Sequence, residues 1–418
     1  MNTPSKNSGS PVDDVIAPLP RVSIQAFCET AEVASVVDTA SGDRRMDKAH
    51  VKVQMGGVWA AVEAYKNAPT PNVIVIETLH GRSDLLDGLD KLAEACDPGT
   101  RVAVIGHVND VLLYRDLMRR GVSEYVITPI TPIGFVKALS ELFASPGAAP
   151  VGRTIAFVGA KGGAGASSVA HNVAWAISKS LGQNTAIVDL DLPFGTAGLD
   201  FNQDPTQGVA DIVFAPDRAD AAVVDRLLAR CSEQLSLLAA PATLDRTYDI
   251  DDSAFDSVID ILRAQVPYVV LDVPHGWSGW TRRVLNSADE VVIVSSPDLA
   301  SLRNAKNLFD LLRAARVNDT PPRLILNGIG LAKRPEIKPA DFCKAIEAEA
   351  IAQIPFDAQL FGTASNNGQM IAEVQAGAKV AQVFVDVAQI VAGRAEIKRA
   401  RKGLLEPLLS KLQRKKAS

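Results

Sequence analysis

The stretch Val151 to Ile177, VGRTIAFVGAKGGAGASSVAHNVAWAI, decides the reading of the chain. An apolar, β-branched run from Thr154 to Val158 meets a turn containing Gly159, Gly162, Gly163 and Gly165, and the turn passes into an alanine- and valine-rich helix starting near Ser167. Glycines let the backbone fold its N–H groups around an anion along a path that side chains would obstruct, and the following helix points its positive end at the same place. Gly162, Gly163, Ala164, Gly165, Ala166, Ser167 and Ser168 are therefore the candidate phosphate cradle. The Ser167 hydroxyl, where loop turns into helix, is placed to ligate Mg²⁺.

The ordinary P-loop ends in Gly-Lys-Ser/Thr, and here the same register reads Gly165-Ala166-Ser167, so the usual lysine is missing. Another cation stands earlier, at Lys161. This spelling resembles the deviant Walker A loop of the MinD/ParA family. In that family the early lysine reaches the nucleotide of the partner subunit in a face-to-face dimer. The resemblance thus implies ATP and Mg²⁺ as cofactors, self-association as a homodimer, and a catalytic role for Lys161 across the interface. A charge-assisted phosphate contact contributes about 1.5–3 kcal/mol, so a chain with Ala166 in the lysine's place is expected to bind nucleotide weakly and hydrolyse it slowly.

Downstream, Thr185 to Val188 reads as a strand ending in Asp189-Leu190-Asp191. Carboxylates at i and i+2 of a strand point to the same side, and a strand end beside a phosphate site is where metal and water are held. Asp189 is the candidate for the metal's outer shell and Asp191 for the residue that orients the attacking water; solvated acidic residues also end strands without function. Further strands are read at Leu235 to Ala239, Tyr268 to Leu271, Glu290 to Val294 and Leu324 to Leu326. The second of these closes on Asp272, a Walker B signature whose carboxylate binds Mg²⁺ directly or through water. His275 reads as a structural or switch-loop residue. In the related proteins an asparagine after the last of these strands reads adenine, which makes Asn327 the base-selectivity residue. Ile354-Pro355-Phe356-Asp357, with Pro355 and Asp357 as nucleotide contacts, and Ala364-Ser365-Asn366-Asn367-Gly368 match the loops that close over base and ribose.

Several longer runs carry a narrower resemblance. The loop itself, Asp200-Phe201-Asn202-Gln203-Asp204-Pro205-Thr206-Gln207-Gly208, the segment from Pro274-His275 to Trp280-Thr281-Arg282-Arg283, and Ser296 to Lys306 resemble the CpaE/TadZ branch. That branch is associated with assembly of Flp/Tad-type pili as a localisation factor at the cell pole, so pilus secretion and assembly proteins are the implied partners.

Ahead of the glycine loop, β-like runs at Val22 to Phe27, Val51 to Met55, Val73 to Ile76, Val102 to Ile105 and Tyr125 to Ile127 alternate with helix-compatible segments near 30–38, 58–66, 84–96 and 110–120. This alternation predicts a parallel sheet covered by helices on both faces. Count and spacing resemble a flavodoxin-like response-regulator receiver, with its chemistry dismantled. The phosphoacceptor position is Glu77, the first strand ends at Phe27-Cys28 with only Glu29 nearby, and the lysine position is Thr128. No phosphotransfer is expected, and a docking or dimerising role follows.

Composition bounds the rest. A chain of 418 residues allows two substantial cores. Hydrophobic residues make up 47% without a continuous run of the roughly 20 needed to cross a bilayer, and the opening residues lack the apolar core of an export signal. The expectation is a cytoplasmic protein. Four cysteines with no CxxC spacing read as reduced buried thiols. A net charge of -5 argues against a DNA partner and against a partitioning ATPase.

The expected plan is an α/β chain. Residues 1–20 form a disordered lead, 21–145 the receiver-like unit, 146–152 a linker, 153–397 a P-loop NTPase unit with a mostly parallel sheet, and 398–418 a basic amphipathic tail. That tail sets leucines against lysines and suggests contact with anionic membrane, peripheral to the inner membrane at the pole; a solvated or partner-binding end is the alternative. Set against the nucleotide switch is a non-hydrolysing scaffold dimerised through the receiver-like unit.

Overall fold

The structure, a computed structural model, describes residues 15–79, 81–144, 151–244 and 247–395. Residues 1–14 of the lead, the greater part of the linker and the whole basic tail lie outside the described residues. The lead was expected to run to residue 20, yet its last part is packed. Leu19 is buried, and its N–H donates to the Arg45 carbonyl at 2.8 Å.

Two sheets organise the chain. The first contains β1 (Val22–Cys28), β2 (Ala49–Met55), β3 (Val73–Thr78), β4 (Arg101–Gly106) and β5 (Glu124–Ile127), in the order β2-β1-β3-β4-β5. All its pairings are parallel. Helices α1 (Ala31–Ser41), α2 (Gly57–Tyr65), α3 (Arg82–Ala95), α4 (Val111–Arg119) and α5 (Pro132–Phe143) cover it. The last was not foreseen, although Thr131 caps it and Pro132 opens it, the position where a missing N–H costs nothing. The central strand β3 is buried along its length, as a strand between two helical layers must be.

The second sheet has eight strands: β6 (Arg153–Gly159), β7 (Thr185–Asp189), β8 (Ala229–Ser232), β9 (Leu235–Leu238), β10 (Tyr268–Val273), β11 (Glu290–Ser295), β12 (Arg323–Ile329) and β13 (Ala350–Pro355). Their order is β13-β12-β11-β6-β10-β7-β9-β8, antiparallel only between β8 and β9. Two apolar clusters, one on each face, contain the inward side chains of alternate strand positions. The chain leaves β6 between β11 and β10, a switch point where an open α/β sheet forms its crevice. Helix α6 (Ala166–Lys179) follows at once and is buried over most of its length, which its small residues Ala170, Ala174 and Ala176 permit. Among the described residues no helix is long and apolar enough to cross a membrane.

The two units meet at the other end of the second sheet. A short 3₁₀ turn, Arg44–Met46, sets Arg44 between Asp289 (3.1 Å) and Asp319 (2.7 Å), with all three side chains at most 8% exposed. Arg44 also donates to the Ser287 carbonyl at 2.5 Å, at the end of the helix Gly279–Ser287. Asp289 in turn accepts from the Thr154 N–H at 2.9 Å and from Arg263 at 3.0 Å, so the start of β6 is tied into the same network. Burial alone would raise the Asp289 carboxyl, but Arg263 and Arg44 outweigh it and hold the group below the usual carboxylate range.

Removing Arg44 would leave two buried carboxylates short of a partner. Arg263 still faces Asp289, and Arg45 and Arg316 still face Asp319, so Arg44→Ala should cost about 1.5–3 kcal/mol, seen as a lower urea midpoint with the two units unfolding separately. A carboxyl depressed in the folded state contributes stability present above its unfolded value and lost as pH falls through the folded one. Docking of the two units should accordingly hold from neutrality down to about pH 4 and loosen below it, as limited proteolysis across that range would report.

Candidate nucleotide site

The glycine loop is held by its carbonyl groups. His275 Nδ1 lies 2.9 Å from the Gly159 carbonyl, Asn304 Nδ2 donates to Ala160 at 2.9 Å, and Asn327 Nδ2 donates to Ala164 at 2.8 Å. Carbonyl and N–H point opposite ways in a trans peptide plane, so pinning the Ala164 carbonyl fixes the Gly165 N–H on the other side. Among the described residues the N–H groups of Gly162, Gly163 and Gly165 have no hydrogen-bond partner, and the first turn of α6 contributes further donors without an intrahelical acceptor. Gly165 stands at φ +83, and a Cβ there would lie 2.3 Å from Asn327 Nδ2. A cleft of about 610 Å³ opens over the loop, within the range of small-molecule sites. Lys161 to Ser168, Asp191, Phe194, Tyr248, His275 and Trp280 line it.

Beneath the loop the strand-end carboxylates come together. Asp272 faces Asp189 across the β10–β7 pairing, and Ser167 Oγ donates to Asp272 Oδ1 at 3.2 Å. Asp189 is fully buried, its two oxygens accepting from the N–H groups of Asp191 (3.1 Å) and Ala197 (3.0 Å). Burial first, and then the Asp272 charge, raise its carboxyl above the usual range. The expected same-side pair does not form, because β7 ends at Asp189 and strand alternation ends with it. Asp191 instead lies on the cleft wall, capping the turn at the Phe194 N–H (3.2 Å), and burial raises its carboxyl as well.

One residue without an assigned role completes this layer. His171 is wholly buried, its Nδ1 at 2.8 Å from Asp200 Oδ2 and its Nε2 at 3.2 Å from Asp272 Oδ2, the second an electrostatic contact without hydrogen-bond alignment. Burial by itself pulls the imidazole down, but Asp200 and Asp272 more than offset it and push it up to about 10. The two carboxylates thus favour the protonated form of the ring. His171, Asp200, Asp298 and Asn304 all lie in the runs quoted above; what concealed them was that nothing in their spacing states a partner.

Lys161 stands at the rim and donates to Asp298 Oδ2 at 2.5 Å, within its own chain. Burial would raise the Asp298 carboxyl, but the Lys161 hydrogen bond holds it below the usual range. Three other segments expected at the nucleotide carry structural roles. The Asn327 amide, expected on a base, is used on the loop carbonyl. Ile354 and Pro355 end strand β13, and Asp357 caps the helix Ala358–Asn367 by accepting from the Leu360 N–H at 2.9 Å. Ala364 to Asn367 belong to that helix, with Gly368 as its left-handed cap, so no loop is formed there. Asn327, Pro355 and Asp357 are outside the residues lining the cleft.

Among the described residues no group of three or more His, Cys, Asp or Glu side chains is arranged to hold a metal. The hard oxygens of Ser167 and Asp272 nonetheless fit Mg²⁺, an ion that keeps several waters and takes one or two protein ligands beside substrate phosphates.

The front unit has a different centre. Glu77 is fully buried, and its carboxylate accepts from the N–H groups of Glu29 (2.7 Å) and Thr30 (2.8 Å) and from the Thr30 hydroxyl (2.7 Å). His107 Nε2 lies 3.0 Å away, with its Nδ1 at 2.9 Å from Thr128 Oγ1. Burial would raise this carboxyl, but the Thr30 bonds and His107 lower it below the usual range.

A sheet whose central strand hands the chain to such a loop, beside a strand-end aspartate, defines the P-loop nucleotide-binding class. The sequence profile described as an AAA domain matches residues 152–323. A ParA family ATPase from Chlorobium tepidum TLS is 30% identical, covering 56% of this chain and 98% of that one with a TM-score of 0.52. The septum site-determining protein MinD of Synechocystis sp. is 28% identical over 187 residues, 44% of this chain, and the chain spans 66% of the length of that relative. The chain belongs to the MinD/ParA family of ATPases, as the spelling of its loop indicated. In sequence it also resembles the pilus assembly protein CpaE from Caulobacter crescentus CB15, 47% identical over 31% of this chain and 100% of that one, with a TM-score of 0.30.

The loop geometry separates two glycines. A Cβ at Gly162 meets nothing within 4 Å, so Gly162→Ala should leave stability within about 0.5 kcal/mol of the parent. Gly165→Ala should lose about 1–2 kcal/mol from the left-handed backbone alone and more from the displaced Asn327, as urea denaturation of the nucleotide-free proteins would measure.

Proposed function

We propose that the protein is an ATP-binding, slowly hydrolysing switch whose nucleotide-loaded form pairs face to face with a second copy, and that it positions the assembly machinery of Flp/Tad-type pili. The observation that carries this reading is Lys161. It stands on the cleft rim with its side chain a third exposed, tethered by one ion pair to Asp298 rather than buried in the loop's support. A cation so placed can leave Asp298 and supply the charge that Ala166 does not. In the paired form it would reach the phosphates held by the second copy's loop.

In this reading the N–H groups of Gly162, Gly163 and Gly165, with the first turn of α6, hold the phosphates. Ser167 and Asp272 hold Mg²⁺, which would neutralise phosphate charge when bound. Asp189 steadies the turn that carries Asp191, and Asp191 orients the water. Tyr248 and Trp280, both on the cleft wall, supply apolar cover. The pilus assignment rests on the runs from Asp200, from Pro274 and from Ser296 quoted above.

The front unit serves as a receiver-like docking module that works without phosphorylation. Its strand order supports this, because β2-β1-β3-β4-β5 is the flavodoxin-like order. The bonding of Glu77 supports it too: with both oxygens engaged, that carboxylate has no free lone pair aimed outward as an acceptor needs. Ala166 favours the second reading, a non-hydrolysing scaffold, and nucleotide-dependent association decides between the two.

Lys161→Ala should abolish Mg²⁺·ATP-dependent self-association in sedimentation velocity and lower the ATPase rate; unchanged values for both would refute the switch. Asp298→Asn keeps a helix-capping acceptor while removing the competing charge. Since a part-exposed pair is worth about 0.2–1 kcal/mol, it should tighten nucleotide-dependent association by up to about fivefold.

A further inference from the structure

Beside the nucleotide cleft runs a groove of about 630 Å³ with an apolar bed and an acidic rim. Val213, Phe214, Pro216 and Ile250 make the bed, and Asp249, Asp251, Asp256 and Asp260 the rim, with Lys48 as the one cation among the described lining residues. Asp256 is paired with Arg283 at 2.8 Å and Asp260 with Lys48 at 3.3 Å. Asp249 and Asp251 are exposed and have no ion-pair partner among the described residues. Such a groove selects an occupant of opposite charge that also carries apolar side chains.

The chain itself supplies one. From Lys398 to Lys416 the sequence sets eight cations against a single carboxylate, Glu406, and includes Leu404, Leu405, Leu408, Leu409 and Leu412. The place where the chain leaves the described residues favours the same contact. The described residues close at Ala395, and the Tyr268 hydroxyl donates to the Ala392 carbonyl at 3.3 Å. Tyr268 follows the helix Asp256–Gln265, so the exit lies by the C-terminal end of that helix, whose first half lines the groove with Asp256, Ser257 and Asp260. Ten helical residues span about 15 Å, whereas residues 396–405 extended reach about 33 Å.

We propose that residues 398–418 seat in this groove of their own chain, with lysines and arginines against Asp249 and Asp251 and leucines on the apolar bed. Tethering places the segment at a local concentration of about a millimolar, so weak pairs suffice to fill the groove. Ile250 lines the nucleotide cleft as well as the groove, so the seated segment abuts the cleft wall. While seated it is withheld from any anionic surface.

The contact is tested on the full chain without nucleotide, so that its failure and failure of the ATP-dependent switch are read separately. A short bis-succinimidyl linker, applied to an equimolar mixture of unlabelled and ¹⁵N-labelled chains, should join Lys48 to Lys411, Lys415 or Lys416 in peptides that are wholly light or wholly heavy. Asp249→Arg with Asp251→Arg should lower that yield about fivefold or more, since two pairs become repulsions. Adding Lys411→Asp and Arg414→Asp to that chain should restore it, read at Lys415 and Lys416. Matching urea midpoints for the Asp249→Arg/Asp251→Arg chain and the parent would show that folding is intact. Absence of these cross-links in the parent, peptides of mixed isotope that place another copy's tail in the groove, a yield indifferent to the two arginines, or no recovery in the charge-swapped chain would each overturn the proposal.

Discussion

A loop that presents N–H groups to an anion must have its carbonyls held elsewhere, and this constraint organises the second unit. Three side chains from three elements satisfy it: His275 after β10, Asn304 on the helix Leu299–Ala315 and Asn327 on β12. Each belongs to a strand, helix or strand-end turn whose place is set by the apolar sheet. Strands β12, β11, β6 and β10, adjacent in the sheet, therefore act together on one short loop. The loop is prepared for its ligand by long-range packing, while its own sequence contributes chiefly the freedom to take that shape.

The same economy governs the layer below. Asp189 and Asp272 are buried, with Asp200 partly buried beside them, and unpaired carboxylates there would be costly. His171 offsets part of that cost by lying between two of them, and backbone N–H groups engage Asp189. A bound divalent ion would enter an environment already adjusted to negative charge, with Asp272 held in place by Ser167 on one oxygen and by His171 on the other.

Much of this was legible from sequence because it is local. The glycine loop, the strands before and after it and the closing aspartates depend on neighbours a few residues away, so their spacing states their structure. The errors arise where tertiary context decides. Asp189 and Asp191 part company because β7 stops between them, which alternation alone cannot reveal. Ala364 to Gly368 is a loop by its resemblance to the related proteins, yet Asp357 caps a helix through it. His171 could not be singled out, since its partners lie 29 residues away at Asp200 and further still at Asp272. Leu19 looked like part of an unstructured lead because its burial depends on Arg45 and the first sheet.

Having Ala166 where the ordinary loop has a lysine also changes where the loop's cation is controlled. A lysine in the first turn of α6 would be fixed by the helix that carries it. Lys161 is instead held by Asp298, the cap of the helix Leu299–Ala315, and Asn304 on that same helix pins the peptide immediately before Lys161. One helix thus fixes both the backbone and the ammonium of the loop's single lysine. The geometry couples the position of that cation to Asp298, and Leu299, 72% exposed beside it, places this pair at the surface.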